Sequence, residues 1–264
     1  MIDLYRNAWS HACHDASELF EQLRDNEIDL PTDCPGWSVR DVVAHLAHIE
    51  AVLAGTASDP ADTSGGDQGS QVTSHYTEQG VQRRRDRPFS DLVKEFDDAV
   101  QLRRVQLADI DEDGPAPATP GGVDWSWETL LRNRVIDVWV HDQDIRRAVN
   151  RPGGMDAPAA QVTATTFSYA LPVVLAKRVG AEPGTSARWI VDDPVPFDFR
   201  VTVGDDGRAR FTDEPGDVDV TLRMTTEDFT ILGAGRRDPA ELDVEVSGDI
   251  ALGERILRHM AVTP

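Results

Sequence analysis

The stretch WSWETLLRNRVIDVWVHDQDIRRAVN, residues 125–150, is the strongest helical segment of the chain and decides the fold. Apolar residues on its other sides predict a helix that is buried all round. Arg134, Asp137, His141 and Asp144 fall on one face at about 100° per residue. A polar stripe inside a buried helix is costly unless its members are paired or bind a metal. Asp137 and His141, spaced i and i+4, can converge on one point, which suits a metal or a carboxylate–imidazole pair.

A second helix, over residues 38–55, offers a third group, with Ser38 as its N-cap. Its apolar face places His45 inward or sideways and turns His48 more toward solvent. If the two helices face each other, His45 and the Asp137–His141 pair form a site of two histidines and one carboxylate. Three protein ligands and an open position are typical of a catalytic metal. An ordinary buried ion pair fits the same spacing, so the residues alone leave both interpretations open.

Long helices separated by connections rich in helix-breaking residues predict a helical bundle for the first half of the chain. Its helices are expected over residues 2–26, 38–55, 71–86, 90–110 and 125–150. The stretches 56–70 and 111–122 are rich in helix-breaking residues and are expected to be connections, the first of them a loop.

The second half changes to the alternating pattern of strands. Strands are expected in ARWIVDD, FDFRVTVG, ARFTD, VDVTLRM and ELDVEVSG, and helices over 157–179, 226–235 and 251–260. This order predicts a small α+β domain whose mostly antiparallel sheet is covered by helices on one face, with GDDG at 204–207 as a hairpin turn. The boundary is expected between Asn150 and Ala157, which gives domains 1–153 and 157–264.

Composition excludes several classes of partner. The 264 residues carry 26 Lys and Arg against 47 Asp and Glu, a net charge of −21 that repels nucleic acids and anionic membranes. The two cysteines form no disulfide framework and indicate a reducing compartment. The N-terminus lacks the features of a secretory signal, and no stretch approaches the ~18 consecutive apolar residues of a membrane helix. We expect a cytoplasmic monomer or small homo-oligomer that acts on a small molecule.

Two segments carry a specific resemblance. CPGWSVRDVVAHLAHIE, residues 34–50, and RVIDVWVHDQDIRRAVNRPG, residues 134–153, resemble the signature segments of the mycothiol-dependent maleylpyruvate isomerase-like family of actinobacteria. The tail from VDVTLRMTTEDFTILGAGRRDP to the C-terminal helix resembles the C-terminal domain of that family. The resemblance therefore spans nearly the whole chain.

The resemblance implies an α plus α/β multidomain protein, in which a DinB-like four-helix bundle precedes a sterol-carrier-like α+β domain. It implies a divalent metal, with zinc as the expected ion, held by His45, Asp137 and His141. The departure is at Asp137, where the family has glutamate. The family also uses arginines to hold an acidic substrate, and Arg236 is the match for one such catalytic residue.

We therefore expect a metal-dependent enzyme that uses mycothiol or another low-molecular-weight thiol. The expected reaction is cis–trans isomerisation or S-transfer on a small electrophile. Arg134 and Asp144, on the same helix face, are expected to orient the ligands by hydrogen bonds. A non-catalytic module that binds a metal, a thiol or a small apolar ligand is the alternative. A structural or regulatory protein, in which Asp137 and His141 form only a buried pair, is the third hypothesis.

Overall fold

A computed structural model describes residues 1–57, 77–114, 116, 119, 124–213 and 216–263. The chain divides into two compact units, Met1–Val162 and Thr163–Thr263. The boundary between the two units falls inside the helix Pro158–Ser168. The division into domains 1–153 and 157–264, each folding on its own, stays a prediction. Most of the predicted loop 56–70, residues 71–76 of the predicted third helix and most of 115–123 lie outside the described residues.

Within its described part, the first unit consists mainly of helices. They are α1 (Ile2–Glu21), α2 (Val39–Leu53), α3 (77–82), α4 (Phe89–Gln106) and α5 (Trp127–Ala148), with a 3-10 turn at Leu107–Asp109. Each of the four long helices packs against two others, because α1 and α2 both contact α4 and α5. This arrangement confirms the predicted helical bundle and brings α2, which carries His45, against α5.

Side chains close to the helix ends explain where these helices begin and stop. Ser38 Oγ accepts the backbone N–H of Asp41, and a carboxylate oxygen of Asp41 accepts the N–H of Ser38, so α2 begins with the predicted cap. The α1 helix ends at Glu21, earlier than the predicted residue 26. The reason is that the Glu27 carboxylate accepts the N–H of Arg24 at 2.8 Å and stabilises a turn there instead.

The second unit contains a sheet in the order β3-β2-β1-β4-β5. The strands are β1 (Ser186–Val191), β2 (Phe197–Val203), β3 (Ala209–Phe211), β4 (Val220–Met224) and β5 (Glu245–Gly248). The sheet is mixed, since β1 and β4 pair in parallel while the other neighbours are antiparallel. The mostly antiparallel sheet is therefore confirmed, and the parallel pair is an addition to it. Gly207, at φ +71°, closes the predicted turn between β2 and β3.

Helices pack against this sheet. The helices after residue 157 are α6 (Pro158–Ser168), α7 (Leu171–Val173), a π-helical segment (Val174–Arg178), α8 (Thr226–Gly233) and α9 (Ile250–Arg258), with a 3-10 turn at Pro239–Glu241. The α7 helix packs on β2 and β3, and α9 packs on β4 and β5. The single helix predicted over 157–179 is interrupted after Ser168. Pro172 has no N–H to donate to the carbonyl of Ser168, so a continuous helix is disfavoured there.

The segment Pro158–Arg178 is long and apolar enough, by length and composition alone, to span a membrane, with a mean hydropathy of 1.3. The sequence-based expectation counted uninterrupted apolar residues and did not identify it. In the structure, 56% of its most apolar window is buried inside the protein. A buried core helix has the same composition, so this feature gives no independent support for a membrane span.

Candidate metal centre

Two helices of the first unit bring the three predicted ligands together. The α2 helix supplies His45, and α5 supplies Asp137 and His141 one turn apart. One ligand atom from each of the three lies within 4.8 Å of the other two. Nε2 of His45 is 3.3 and 3.2 Å from Oδ1 and Oδ2 of Asp137, and Nε2 of His141 is 3.8 Å from Oδ1. This spacing allows the three side chains to share one ion.

The cluster is buried but accessible at one residue. His45 and His141 are 3% and 6% exposed, whereas the Asp137 side chain keeps 30% of its surface in solvent. The indole of Trp37 lies against both imidazoles, with ring centroids 5.1 Å from His45 and 5.8 Å from His141. Its Nε1 donates to the carboxylate of Glu78 at 3.0 Å, which fixes the ring. Trp37 therefore shields the imidazoles from water on the face that it covers.

Arg134 fixes the carboxylate of Asp137. Its Nη1 donates to Oδ2 at 2.5 Å, and Oδ2 also lies 3.2 Å from Nε2 of His45. Oδ1 is the oxygen that lies near both imidazoles. Burial alone would raise the pKa of Asp137, but the guanidinium of Arg134 and the imidazole of His45 hold it well below its usual range. Asp137 is therefore an anionic oxygen donor at neutral pH.

Asp144 orients His141. Nδ1 of His141 lies 3.1 Å from Oδ2 of Asp144, whose side chain is fully buried, and Arg147 donates to Oδ1 at 2.7 Å. An ionised carboxylate only accepts hydrogen bonds, so the contact places the proton of His141 on Nδ1. The lone pair on Nε2 is then directed toward Asp137. A histidine held in this way by a carboxylate is typical of metal ligands.

His45 also fits a metal ion. Burial lowers the pKa of its imidazole, although Asp137 opposes this, and the neutral ring is the form that binds metals. Its buried Nδ1 has no hydrogen-bond partner among the described residues. Two imidazole nitrogens and one carboxylate oxygen form a donor set that suits zinc and leaves a position for another ligand. The residues present therefore fit a divalent ion.

Two models of known protein families match the sequence of this chain. The family model described as the mycothiol maleylpyruvate isomerase N-terminal domain matches residues 9–146, and the model of the C-terminal domain of the same family matches residues 161–255. The chain belongs to the mycothiol maleylpyruvate isomerase family. A search of curated proteins finds no match.

Solved structures share the fold of this maleylpyruvate isomerase family member. A crystal structure of the mycothiol-dependent maleylpyruvate isomerase is 16% identical, with a TM-score of 0.56. A structure of a histidine-to-alanine mutant of that enzyme is 15% identical, with a TM-score of 0.58. In both comparisons the alignment covers 94% of this chain and 93% of the other. At these identities the likeness establishes the fold and no more.

Other predicted residues of this family member lie in different surroundings. His48 was expected to face solvent, and this is wrong, because it is 1% exposed. Arg84 donates to its Nδ1 at 3.1 Å, and the ring packs against Gly80 on α3. The periodicity of residues 38–55 alone could not show that α3 covers this side of α2. Arg236 belongs to the second unit, where its Nη1 donates to the carbonyl of Ala234 at 3.0 Å. Its catalytic role remains a prediction.

Sequence reasoning missed Glu50 as a functional candidate. Glu50 lies on α2, is fully buried, and accepts two hydrogen bonds from Arg134. An acidic residue among the apolar residues near the end of α2 was the available signal, but its partners lie far away in the sequence. Trp37, which immediately precedes the N-cap of α2, also lies against the cluster.

Proposed function

We propose that this protein is a metal- and thiol-dependent enzyme that acts on a small electrophile, as a cis–trans isomerase or an S-transferase. The convergence of His45, Asp137 and His141 carries the proposal, because two buried imidazoles and a partly exposed carboxylate from two helices lie within 4.8 Å of one another. Membership of the mycothiol maleylpyruvate isomerase family supports mycothiol as the thiol. We further propose zinc as the ion and the cytoplasm as the location.

The charges of the residues bonded to Asp137 favour an anionic ligand beside the metal. The hydrogen-bonded chain from Asp137 through Arg134 and Glu50 to Arg103 contains two carboxylates and two guanidinium groups, so these four charges balance. A divalent ion would therefore add positive charge that a thiolate offsets.

The residues of the chain bind and orient the reactants. His45, Asp137 and His141 would hold the ion, which would lower the pKa of a coordinated thiol and keep it as the nucleophilic thiolate. Asp144 holds the Nδ1 proton of His141, and Arg134 holds one oxygen of Asp137, so neither ligand is free to turn. Trp37 excludes water from the imidazoles, and the exposed edge of Asp137 leaves an approach from solvent.

Elemental analysis of the purified protein tests the metal centre. We expect one zinc ion per chain in the wild type and loss of stoichiometric zinc in His45→Ala. The matched control is His14→Ala, since His14 lies exposed on α1 and pairs only with Glu18 among the contacts described. Full zinc occupancy in the His45→Ala protein would overturn this site.

A thiol assay then distinguishes the reactions. The zinc-loaded protein is mixed with mycothiol and a panel of small electrophiles, including conjugated cis-alkenes. An isomerase adds the thiolate to the double bond and expels it after rotation, so thiol is regenerated. An S-transferase releases the thioether, so thiol is consumed. Zinc binding without thiol-dependent turnover of any electrophile would instead favour the non-catalytic binding module. Asp137, at a position where the resemblance implies glutamate, is the sequence feature that supports this alternative.

A further inference from the structure

A single buried carboxylate connects all four long helices of the first unit. Glu50, on α2, accepts hydrogen bonds from Trp9 on α1, Arg103 on α4 and Arg134 on α5. The distances are 3.1 Å from Trp9 Nε1, 2.8 Å from Arg103 Nη1, and 3.0 and 2.8 Å from Nε and Nη2 of Arg134. We call Glu50 and these three partners the Glu50 hub.

The hub reaches the candidate metal centre through Arg134. Two of the three nitrogens of its guanidinium bind Oε1 of Glu50, and the third, Nη1, binds Oδ2 of Asp137. Because the guanidinium is planar, binding Glu50 through two nitrogens fixes the direction of the third. Arg134 is only 4% exposed, so water does not replace these partners.

We propose that Glu50 is a positioning residue for the metal centre, which acts through Arg134 to present a single oxygen of Asp137 to the ion. The inference rests on the metal centre proposed above. Oδ2 accepts from Arg134 and also lies 3.2 Å from Nε2 of His45, whereas Oδ1 lies near both imidazoles, at 3.3 and 3.8 Å from Nε2 of His45 and His141. Without Glu50, the guanidinium is free to turn and to bind both oxygens of Asp137, so that it competes with the ion.

The hub also joins helices, so its test must separate positioning from stability. Glu50→Gln keeps the shape of the side chain but loses the charge that holds Arg134. Trp9→Phe removes one donor to Glu50 and leaves the contacts of Arg134 in place. Arg134→Lys keeps a positive charge, but a lysine ammonium does not present the planar fork that spans Glu50 and Asp137.

Zinc affinity, measured by competition with a chromophoric chelator, is the first readout, and the absorption spectrum of the cobalt-loaded protein is the second. Thermal unfolding of the zinc-free proteins reports stability separately. We expect Glu50→Gln and Arg134→Lys to weaken zinc binding about 10- to 100-fold and to change the cobalt spectrum. We expect Trp9→Phe to lower the melting temperature yet keep zinc affinity within about threefold of the wild type.

Two results would overturn the inference. One is wild-type zinc affinity and an unchanged cobalt spectrum in folded Glu50→Gln. The other is a loss of zinc affinity in Trp9→Phe as large as that in Glu50→Gln, which would show a purely structural role. If Glu50→Gln does not fold, Arg134→Lys decides the question by the same criteria. A wild-type protein that binds no zinc would overturn the proposed metal centre itself, which separates that failure from failure of the positioning role.

Discussion

Asp137 has one methylene fewer than the glutamate that the resemblance implies at its position, yet its carboxylate lies beside both imidazoles. His45 Nε2 already lies 3.2 Å from its carboxylate, so α2 and α5 are close enough for the short arm to reach. Arg134 then restricts the carboxylate to one orientation. The shorter side chain therefore still places an oxygen donor beside the two imidazoles.

Asp144 provides a prediction at a residue that does not itself bind the ion. Asp144→Ala removes the acceptor from Nδ1 of His141, so we expect zinc affinity to fall about tenfold. Asp144→Asn is the matched control, because its one amide oxygen can still accept that proton, at the expense of the hydrogen bond from Arg147, so the loss should be smaller. Chelator competition measures both variants. Equal affinity of the wild type and Asp144→Ala would show that the contact does not support the ligand.

The pKa of Glu50 gives a pH dependence of stability. Burial would raise the pKa of this carboxyl, but the guanidinium groups of Arg134 and Arg103 hold it below its usual value. An unfolded glutamate titrates near pH ~4.3. Because the folded-state pKa is lower, the stabilisation is complete above that pH and is lost as the pH falls through the folded-state pKa.

We therefore expect Glu50→Gln to unfold more easily than the wild type by about 3 kcal/mol at pH 7, since two buried guanidinium groups lose their counter-charge. The difference should shrink as the pH falls below about 4. Urea unfolding in the presence of a chelator measures it without interference from zinc. A difference that stays constant down to pH 3 would contradict the assigned charge of Glu50.

At the scale of elements, the capping box of Ser38 and Asp41 fixes where α2, the helix that carries His45, begins. Ser38→Ala removes the acceptor for the N–H of Asp41, and we expect a loss of about 1 kcal/mol in the free energy of unfolding. Ser38→Thr, which keeps a hydroxyl at the cap, should lose only a few tenths of that amount. Denaturant unfolding of the three proteins measures the effect, and equal losses in both variants would contradict the role of the hydroxyl.

Local sequence patterns predicted elements well and long-range contacts poorly. The periodicity of residues 125–150 identified α5, and Ser38 identified the start of α2, because caps and amphipathic faces are encoded within a few residues. The interruption before Pro172 was missed, although the missing N–H of proline was visible in the sequence. The burial of His48 and the partners of Glu50 depend on residues at least 32 positions away, which no local pattern encodes.

The candidate site shows the same limit. The i and i+4 spacing of Asp137 and His141 predicted that they lie on one face of the helix. In the structure, Nε2 of His141 lies 3.8 Å from Oδ1 of Asp137. That His45 meets them depends on the packing of α2 against α5, which the family resemblance implied and spacing did not. The parallel pairing of β1 with β4 likewise depends on the order of strands, not on the pattern within each strand.

For the whole molecule, metal binding and the division into two units give a joint prediction. An ion that binds only the folded state stabilises it by about 2.7 kcal/mol at a hundred times its dissociation constant. The three ligands all lie in the unit Met1–Val162. If domains 1–153 and 157–264 unfold independently, excess zinc should raise the melting temperature of one transition in differential scanning calorimetry and leave the other unchanged.

Two controls make this prediction specific to the cluster. In His141→Ala, zinc should move neither transition, because the ion has lost a ligand while the second unit is untouched. Magnesium in place of zinc should have no effect on the wild type, since it prefers oxygen ligands and octahedral geometry over two imidazoles. Two transitions that rise together with zinc would show that the units unfold as one body, and a zinc shift that persists in His141→Ala would place the stabilising ion elsewhere.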